Sequence, residues 1–175
     1  MSTDCRPLLA RMGYAWDNRG VLRNVTNGMR AWDEMTSSMI DATAADLVQG
    51  VLEDVQGRIL YPDPATGSRL DYIAADVPRA ADEALHPKAR IKIYLTRNWK
   101  RCEKMLIILQ GHGGVRPGIW SRSLCLESNL QAGSMLGLLE RAAREGYGVA
   151  VLNPNENTVK VQDDFSFHVQ VCCSA

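Results

Sequence analysis

Two unbroken apolar runs constrain this chain more than any other feature. Met105-Leu106-Ile107-Ile108-Leu109 and Tyr147-Gly148-Val149-Ala150-Val151-Leu152 lie on either side of Met135, Leu138, Leu139 and Ala142, which recur at helical spacing. Runs of this length and composition are expected as strands covered on both faces. Gly146 is placed to end the helix between them. Strand, helix, strand in this order predicts a parallel βαβ unit with a right-handed crossover. The chain is therefore expected to be α/β, with a mostly parallel sheet and flanking helices.

Upstream, Ile91, Ile93 and Leu95 alternate with Arg90, Lys92 and Tyr94. That alternation predicts a half-exposed strand at a sheet edge. Four prolines, Pro62, Pro64, Pro78 and Pro87, fall between Tyr61 and Pro87. That stretch is expected to be irregular, with a short helix near Ala80 to Ala84. Leu47, Val48, Val51, Leu52 and Val55 share a helix face, with Thr43 as cap and Gly57 as stop. Gly13-Tyr14-Ala15-Trp16 and Val21 to Val25 flank Asp17-Asn18-Arg19-Gly20, the pattern of an N-terminal hairpin. At the other end, Phe165, Phe167, Val169 and Val171 alternate with polar residues and predict an edge strand or a strand that docks elsewhere.

Composition excludes several classes. The 175 residues carry 20 basic and 20 acidic side chains, a formal net charge of zero. No basic footprint for nucleic acid or an anionic membrane follows from that balance. The local cluster Arg97, Lys100, Arg101 and Lys104 reads as a solvated turn between strands. No apolar run approaches the roughly 20 residues of a spanning helix. Met1 to Ala10 lacks the apolar centre of a secretory signal. Cys5, Cys102, Cys125, Cys172 and Cys173 fit neither a disulfide framework nor a zinc site, so an intracellular protein with reduced thiols is expected. No cofactor and no metal is implied.

In open α/β sheets, ligands bind beyond the carboxyl ends of parallel strands. Two loops qualify: Gln110-Gly111-His112-Gly113-Gly114-Val115-Arg116-Pro117-Gly118 and Asn153-Pro154-Asn155-Glu156-Asn157. Gly111, Gly113 and Gly114 let the backbone turn sharply and aim N–H groups at a ligand. After a buried strand, such a loop has the form of an oxyanion-stabilising loop. His112 reads as a ligand or acid/base group, or as a histidine hydrogen-bonded within its loop. Arg116 reads as an anion binder, or as a clamp on a nearby carbonyl. Asn153 and Asn155 read as turn stabilisers. Glu156 is a candidate to share a cleft with His112. Trp120 is expected as an apolar anchor beneath the loop. No Gly-x-Ser-x-Gly occurs, and Ser121 and Ser123 lie too early in the topology for a nucleophile elbow, so no catalytic residue is assigned.

Gly13 to Trp16, Gly111 to Trp120 and Glu145 to Asn157 together resemble the Arb-two domain, named for an argonaute-binding protein. Related domains occur in some histone deacetylases and in nuclear proteins proposed to act in co-transcriptional regulation. The resemblance implies a partial α/β-hydrolase-like fold over residues 13–157, preceded by a tail at 1–12 and followed by a tail at 158–175. It implies argonaute, chromatin or RNA-processing proteins as partners, gene silencing or heterochromatin as the setting, and the nucleus as location. The family's loop begins His-Gly-x-Gly, whereas this chain has Gln110-Gly111-His112-Gly113. The family's later serine elbow, resembling His-Ser-Tyr-Gly-Gly, is absent, so the chain is expected to be the N-terminal portion of such a domain. The leading reading is a non-catalytic interaction domain. The alternative is part of an esterase-like hydrolase whose serine lies outside this chain.

Overall fold

A computed structural model describes residues 7–38, 41–61, 70–78, 90–111, 113–156, 158–160 and 166–168. The described residues form a mixed α/β structure around a four-stranded sheet. A first helical turn, α1 (Leu8–Arg11), leads into the expected hairpin, β1 (Tyr14–Trp16) and β2 (Leu22–Asn24), paired antiparallel. Asp17 organises the turn. One of its oxygens accepts the backbone N–H groups of Arg19 and Val21 at 2.9 and 3.0 Å, and the other accepts Arg23 Nε at 2.8 Å. Glu34, on α2 (Ala31–Ser38), accepts the Tyr14 hydroxyl at 2.7 Å and the side-chain amides of Asn24 and Asn27. These bonds fasten the hairpin to the helix that follows it.

Helix α3 spans Asp41–Leu60. Leu47, Val51, Val55 and Ile59, four residues apart, are all buried and form the stripe that the spacing predicts. The helix does not stop at Gly57. It continues to Leu60 because Val55 and Ile59 pack on the chain around Gly118, and burial of that stripe outweighs a glycine's helix cost of about 1 kcal/mol. Gly118 has φ +99°, and a Cβ there would sit 3.0 Å from both Val55 and Ile59. Opposite, Trp16 Nε1 donates to Asp54 at 2.9 Å, and Arg58 Nε donates to the same carboxylate at 2.8 Å.

The main sheet contains β3 (Tyr72–Pro78), β4 (Arg90–Thr96), β5 (Met105–Ile108) and β6 (Gly148–Val151), in the order β3-β4-β6-β5. It is mixed rather than mostly parallel. β3 pairs antiparallel with β4, β4 pairs antiparallel with β6, and β5 alone pairs parallel with β6. The reason is the connections: a parallel pair needs a long crossover, and β5 and β6 have one built of helices. That crossover holds α4 (Arg122–Glu127), α5 (Leu130–Gly133) and α6 (Leu136–Arg144). Only α6 is evident from hydrophobic spacing. The two short helices start at polar caps, where Ser121 accepts Leu124 N–H at 3.3 Å and Asn129 accepts Ala132 N–H at 2.8 Å.

Three further expectations are corrected. β4 is an interior strand, with Tyr94 and Thr96 buried on the face opposite Ile91, Ile93 and Leu95. The edge beside it is β3, which lies in the stretch expected to be irregular; the helix expected near Ala80 to Ala84 falls outside the described residues. β5 is not covered on both faces: Ile108 is buried, while Ile107 and Leu109 are 64% and 67% exposed. Of the two placements expected for the tail strand, the second is the one observed: residues at the C-terminal end form a separate two-stranded hairpin, β7 (Thr158–Lys160) and β8 (Ser166–His168), and do not join the main sheet. The rest of the predicted tail strand lies outside the described residues. The basic cluster is the turn after β4. Its Arg97 Nε donates to Asp71 at 2.9 Å, and its Lys100 lies over the Trp99 ring.

Candidate functional site

The two candidate loops leave the carboxyl ends of the parallel pair, one after β5 and one after β6. Gln110 is the first residue of the glycine loop to turn inward. It is buried, and its Nε2 donates to the carbonyls of Arg116 and Ile119 at 2.8 and 2.7 Å. One side chain thus closes residues 111–118 into a lasso. Ile119, fully buried, anchors the lasso's end. Trp120 is 42% exposed and does not. The backbone turns Ile119 inward, so the next side chain faces out.

Asn155 ties the second loop to the first. Its Oδ1 accepts Gly113 N–H at 3.1 Å, and its Nδ2 donates to the carbonyls of Gly111 at 2.9 Å and Val115 at 3.3 Å. Gly113 has φ +142°, a conformation that favours glycine. Arg116 Nη1 donates to the adjacent Val115 carbonyl at 3.3 Å. Gly114 lies against the Arg122 guanidinium, which a Cβ at that position would approach to 2.9 Å. His112 lies outside the described residues.

Beside the lasso is a cleft of about 180 Å³. Leu52 and Gln56 come from α3, Lys92 and Tyr94 from β4, Arg116 from the first loop, and Asn153 and Glu156 from the second. Gln56 Nε2 also donates to the Pro117 carbonyl at 3.1 Å, so α3 braces the lasso. Asn153 is buried, and its Nδ2 donates to Glu156 at 2.5 Å. The Oδ1 of Asn153 and the Oε1 of Gln110 are buried without a hydrogen-bond partner among the described residues. Burial, followed by the charge of Glu156 and by Tyr61, pushes the Tyr94 hydroxyl up to about 12, so it remains a neutral donor. The cleft therefore gathers Arg116, Asn153 and Glu156, while Gly111, Gly113 and Gly114 are exposed on the lasso outside it.

Sequence spacing did not single out Lys92, Tyr94 or Gln56. The usable signal was the period of two that places Lys92 and Tyr94 on one face of a strand. Ser121 and Ser123 bond to each other at 3.0 Å at the start of α4, outside the cleft. Among the described residues, no group of three or more His, Cys, Asp or Glu is arranged to hold a metal.

The sequence profile of the Arb2 domain matches residues 67–173, more than half of the chain. A FAM172 family protein homolog of Caenorhabditis elegans is 30% identical over 155 residues, 89% of this chain and 45% of the worm protein. The cotranscriptional regulator ARB2A of Homo sapiens is 43% identical over 68 residues, 39% of this chain and 16% of the human protein. Its homolog in Xenopus tropicalis is 47% identical over 60 residues, 34% of this chain and 14% of that protein. The chain thus spans less than half the length of these relatives. No solved structure matches it significantly.

Proposed function

Because this chain belongs to the Arb2 domain family, we propose that it is a non-catalytic protein-interaction domain acting in cotranscriptional regulation. The observation that carries this reading is the bond from Gly113 N–H to Asn155. An oxyanion loop needs free N–H donors aimed at the reacting oxygen. Here one glycine N–H of the lasso is taken up within the protein. Gln110 and Asn155 make the lasso a rigid surface feature instead.

Human and frog relatives are named cotranscriptional regulator or its homolog, which supports a nuclear setting for this chain. Its partners on this reading are chromatin, RNA-processing or argonaute proteins, with gene silencing as the process. The order β3-β4-β6-β5, with a glycine loop after β5, supports descent from an α/β-hydrolase-like fold. Descent of fold carries no activity with it.

Affinity purification of the tagged chain from nuclear extract tests the reading. Recovery of chromatin, splicing or argonaute components is the expected result. Recovery of metabolic enzymes alone would count against it. A fluorophosphonate probe separates the hydrolase alternative: the chain is expected to remain unlabelled, and stoichiometric labelling at Ser121 or Ser123 would establish a nucleophile.

A further inference from the structure

The floor of the cleft is the β4–β6 pair, and each of these strands is hydrogen-bonded to a neighbour on both sides. Their register sets Tyr94 opposite Val151. Carried two residues on, it sets Lys92 opposite Asn153, on the face that Tyr94 shares, and both residues line the cleft. Leu52, Gln56, Arg116 and Glu156 complete the walls.

The polar groups of this cleft are complementary to one kind of ligand. Asn153 is 6% exposed, and its Oδ1 has no hydrogen-bond partner among the described residues. The amide's orientation is fixed, because the Glu156 carboxylate can only accept and takes Nδ2 at 2.5 Å. A buried acceptor without a donor is costly, and a donor entering the cleft would satisfy it. Among the described residues, the Arg116 guanidinium donates only to the Val115 carbonyl, at 3.3 Å, so most of its N–H groups are uncommitted. Lys92 adds a second cation, against the single carboxylate of Glu156. The site is also held in place: Gln110 grips the Arg116 carbonyl and Gln56 the Pro117 carbonyl, so binding has little backbone to order. At about 180 Å³ the cleft is smaller than the roughly 300–1,000 Å³ of pockets for drug-sized molecules, and suits a small group.

We propose that the cleft binds a carboxylate bearing an N–H group on the adjacent carbon, the chemistry shared by a free α-amino acid and the last residue of a peptide. The carboxylate takes Lys92 and the Arg116 guanidinium, whose planar fork matches it. The N–H group donates to Asn153 Oδ1. In a free amino acid, the ammonium also meets the charge of Glu156. Capture of a terminal carboxylate is one of the recurring modes of peptide recognition. A peptide end would deepen the interaction reading above, but the site does not rest on that reading.

Amide NMR spectra of the full 175-residue chain, titrated with N-acetylalanine, test the proposal. Saturable shifts are expected at Arg116, Asn153 and Glu156. N-acetylalaninamide lacks the carboxylate, and O-acetyl-lactate has an ester oxygen in place of the N–H group. Each should bind about tenfold or more weakly. In Asn153→Ala, N-acetylalanine and O-acetyl-lactate should bind alike. Arg116→Gln, at the cleft wall, should shrink the preference for N-acetylalanine over its amide. Unfolding curves will show that the variants fold; if Asn153→Ala does not, the parent's preference for amide over ester and the Arg116→Gln result carry the test. Alanine itself separates the sources: binding tighter than that of N-acetylalanine assigns a free amino acid, and any other order assigns a peptide end. No saturable binding of alanine or N-acetylalanine, equal affinity for N-acetylalanine and O-acetyl-lactate in the parent, or an undiminished preference in a folded variant would each overturn the proposal. The nuclear purification is scored apart from this titration, so recovered partners without probe binding would sink the site and leave the interaction reading standing.

Discussion

The side-chain oxygen of Asn155 accepts the backbone N–H of Gly113 at 3.1 Å, across 42 residues of sequence. The same amide group donates to the Gly111 and Val115 carbonyls. One side chain from the loop after β6 thus sets the conformation of the loop after β5.

Replacing Asn155 with alanine removes three bonds at once. The expected loss is about 1–3 kcal/mol, because Asn155 is buried and the lasso groups it satisfied are partly open to water. Urea unfolding measures the loss, and amide exchange locates it: the Gly113 N–H should exchange faster in the variant. Unchanged exchange at Gly113 would show that the lasso holds its shape without Asn155.

Gln110 tests the lasso from the other side. In Gln110→Glu, an acceptor oxygen replaces Nε2 and faces two carbonyl oxygens. The expected cost at neutral pH is about 2 kcal/mol or more. Burial beside carbonyls raises the new carboxyl's folded pKa above its unfolded value. Stability from the protonated form is then fully present below the unfolded pKa and is lost as pH rises through the folded one. The variant's deficit against the parent should therefore shrink on acidification. A deficit independent of pH would mean that residue 110 leaves its buried position when charged.

Much of this arrangement was legible in the sequence, and the failures have physical causes. β6, α6 and the hairpin at Asp17 were visible because their signals are local: an apolar run, a helical period, a turn composition. The position of both loops followed from the strands before them. The run Met105 to Leu109 has the composition of a strand covered on both faces, because hydrophobicity reports what a strand prefers and does not report its surroundings. β3 was missed because Tyr72 to Val77 has no clean alternation and lies among prolines. The bonds of Asn155 to the lasso connect residues 40 to 44 positions apart. No local pattern encodes such bonds, so Asn155 could be read only as a turn residue.

Asp17 predicts an acid-sensitive hairpin. Its carboxyl is lowered from 3.8 to about 2, chiefly by the Arg23 hydrogen bond and then by the Val21 N–H. A depressed folded pKa contributes stability above the unfolded value, and that stability is lost as pH falls through the folded value. The loss therefore falls between pH 3.8 and about 2. Asp17→Asn cannot titrate, so the gap between parent and variant should close over this window. Unfolding midpoints measured at intervals across it decide the point; a constant gap would mean that the turn is held by groups other than the Asp17 charge.

The last prediction concerns the seam between α4 and α5. A Cβ added to Gly133 would fall 2.3 Å from both the backbone nitrogen and the Sγ of Cys125. The nearest atoms are backbone in a capped helix, so the overlap is not relieved by a rotamer change. Gly133 is also the acceptor for the N–H groups of Trp120 and Ser121, at 2.8 and 3.1 Å, which limits how far it can retreat. Gly133→Ala should cost about 1–3 kcal/mol through overpacking. Cys125 supplies a second readout. It is fully buried, and burial pushes its thiol up to about 12, so it should resist alkylation in the native parent. Cys102, partly exposed, should react before Cys125. In Gly133→Ala, separation of the two helices should expose Cys125, and its alkylation should quicken while that of Cys102 is unchanged. Equal Cys125 reactivity in parent and variant, together with an unchanged unfolding midpoint, would show that the seam accommodates a methyl group without opening.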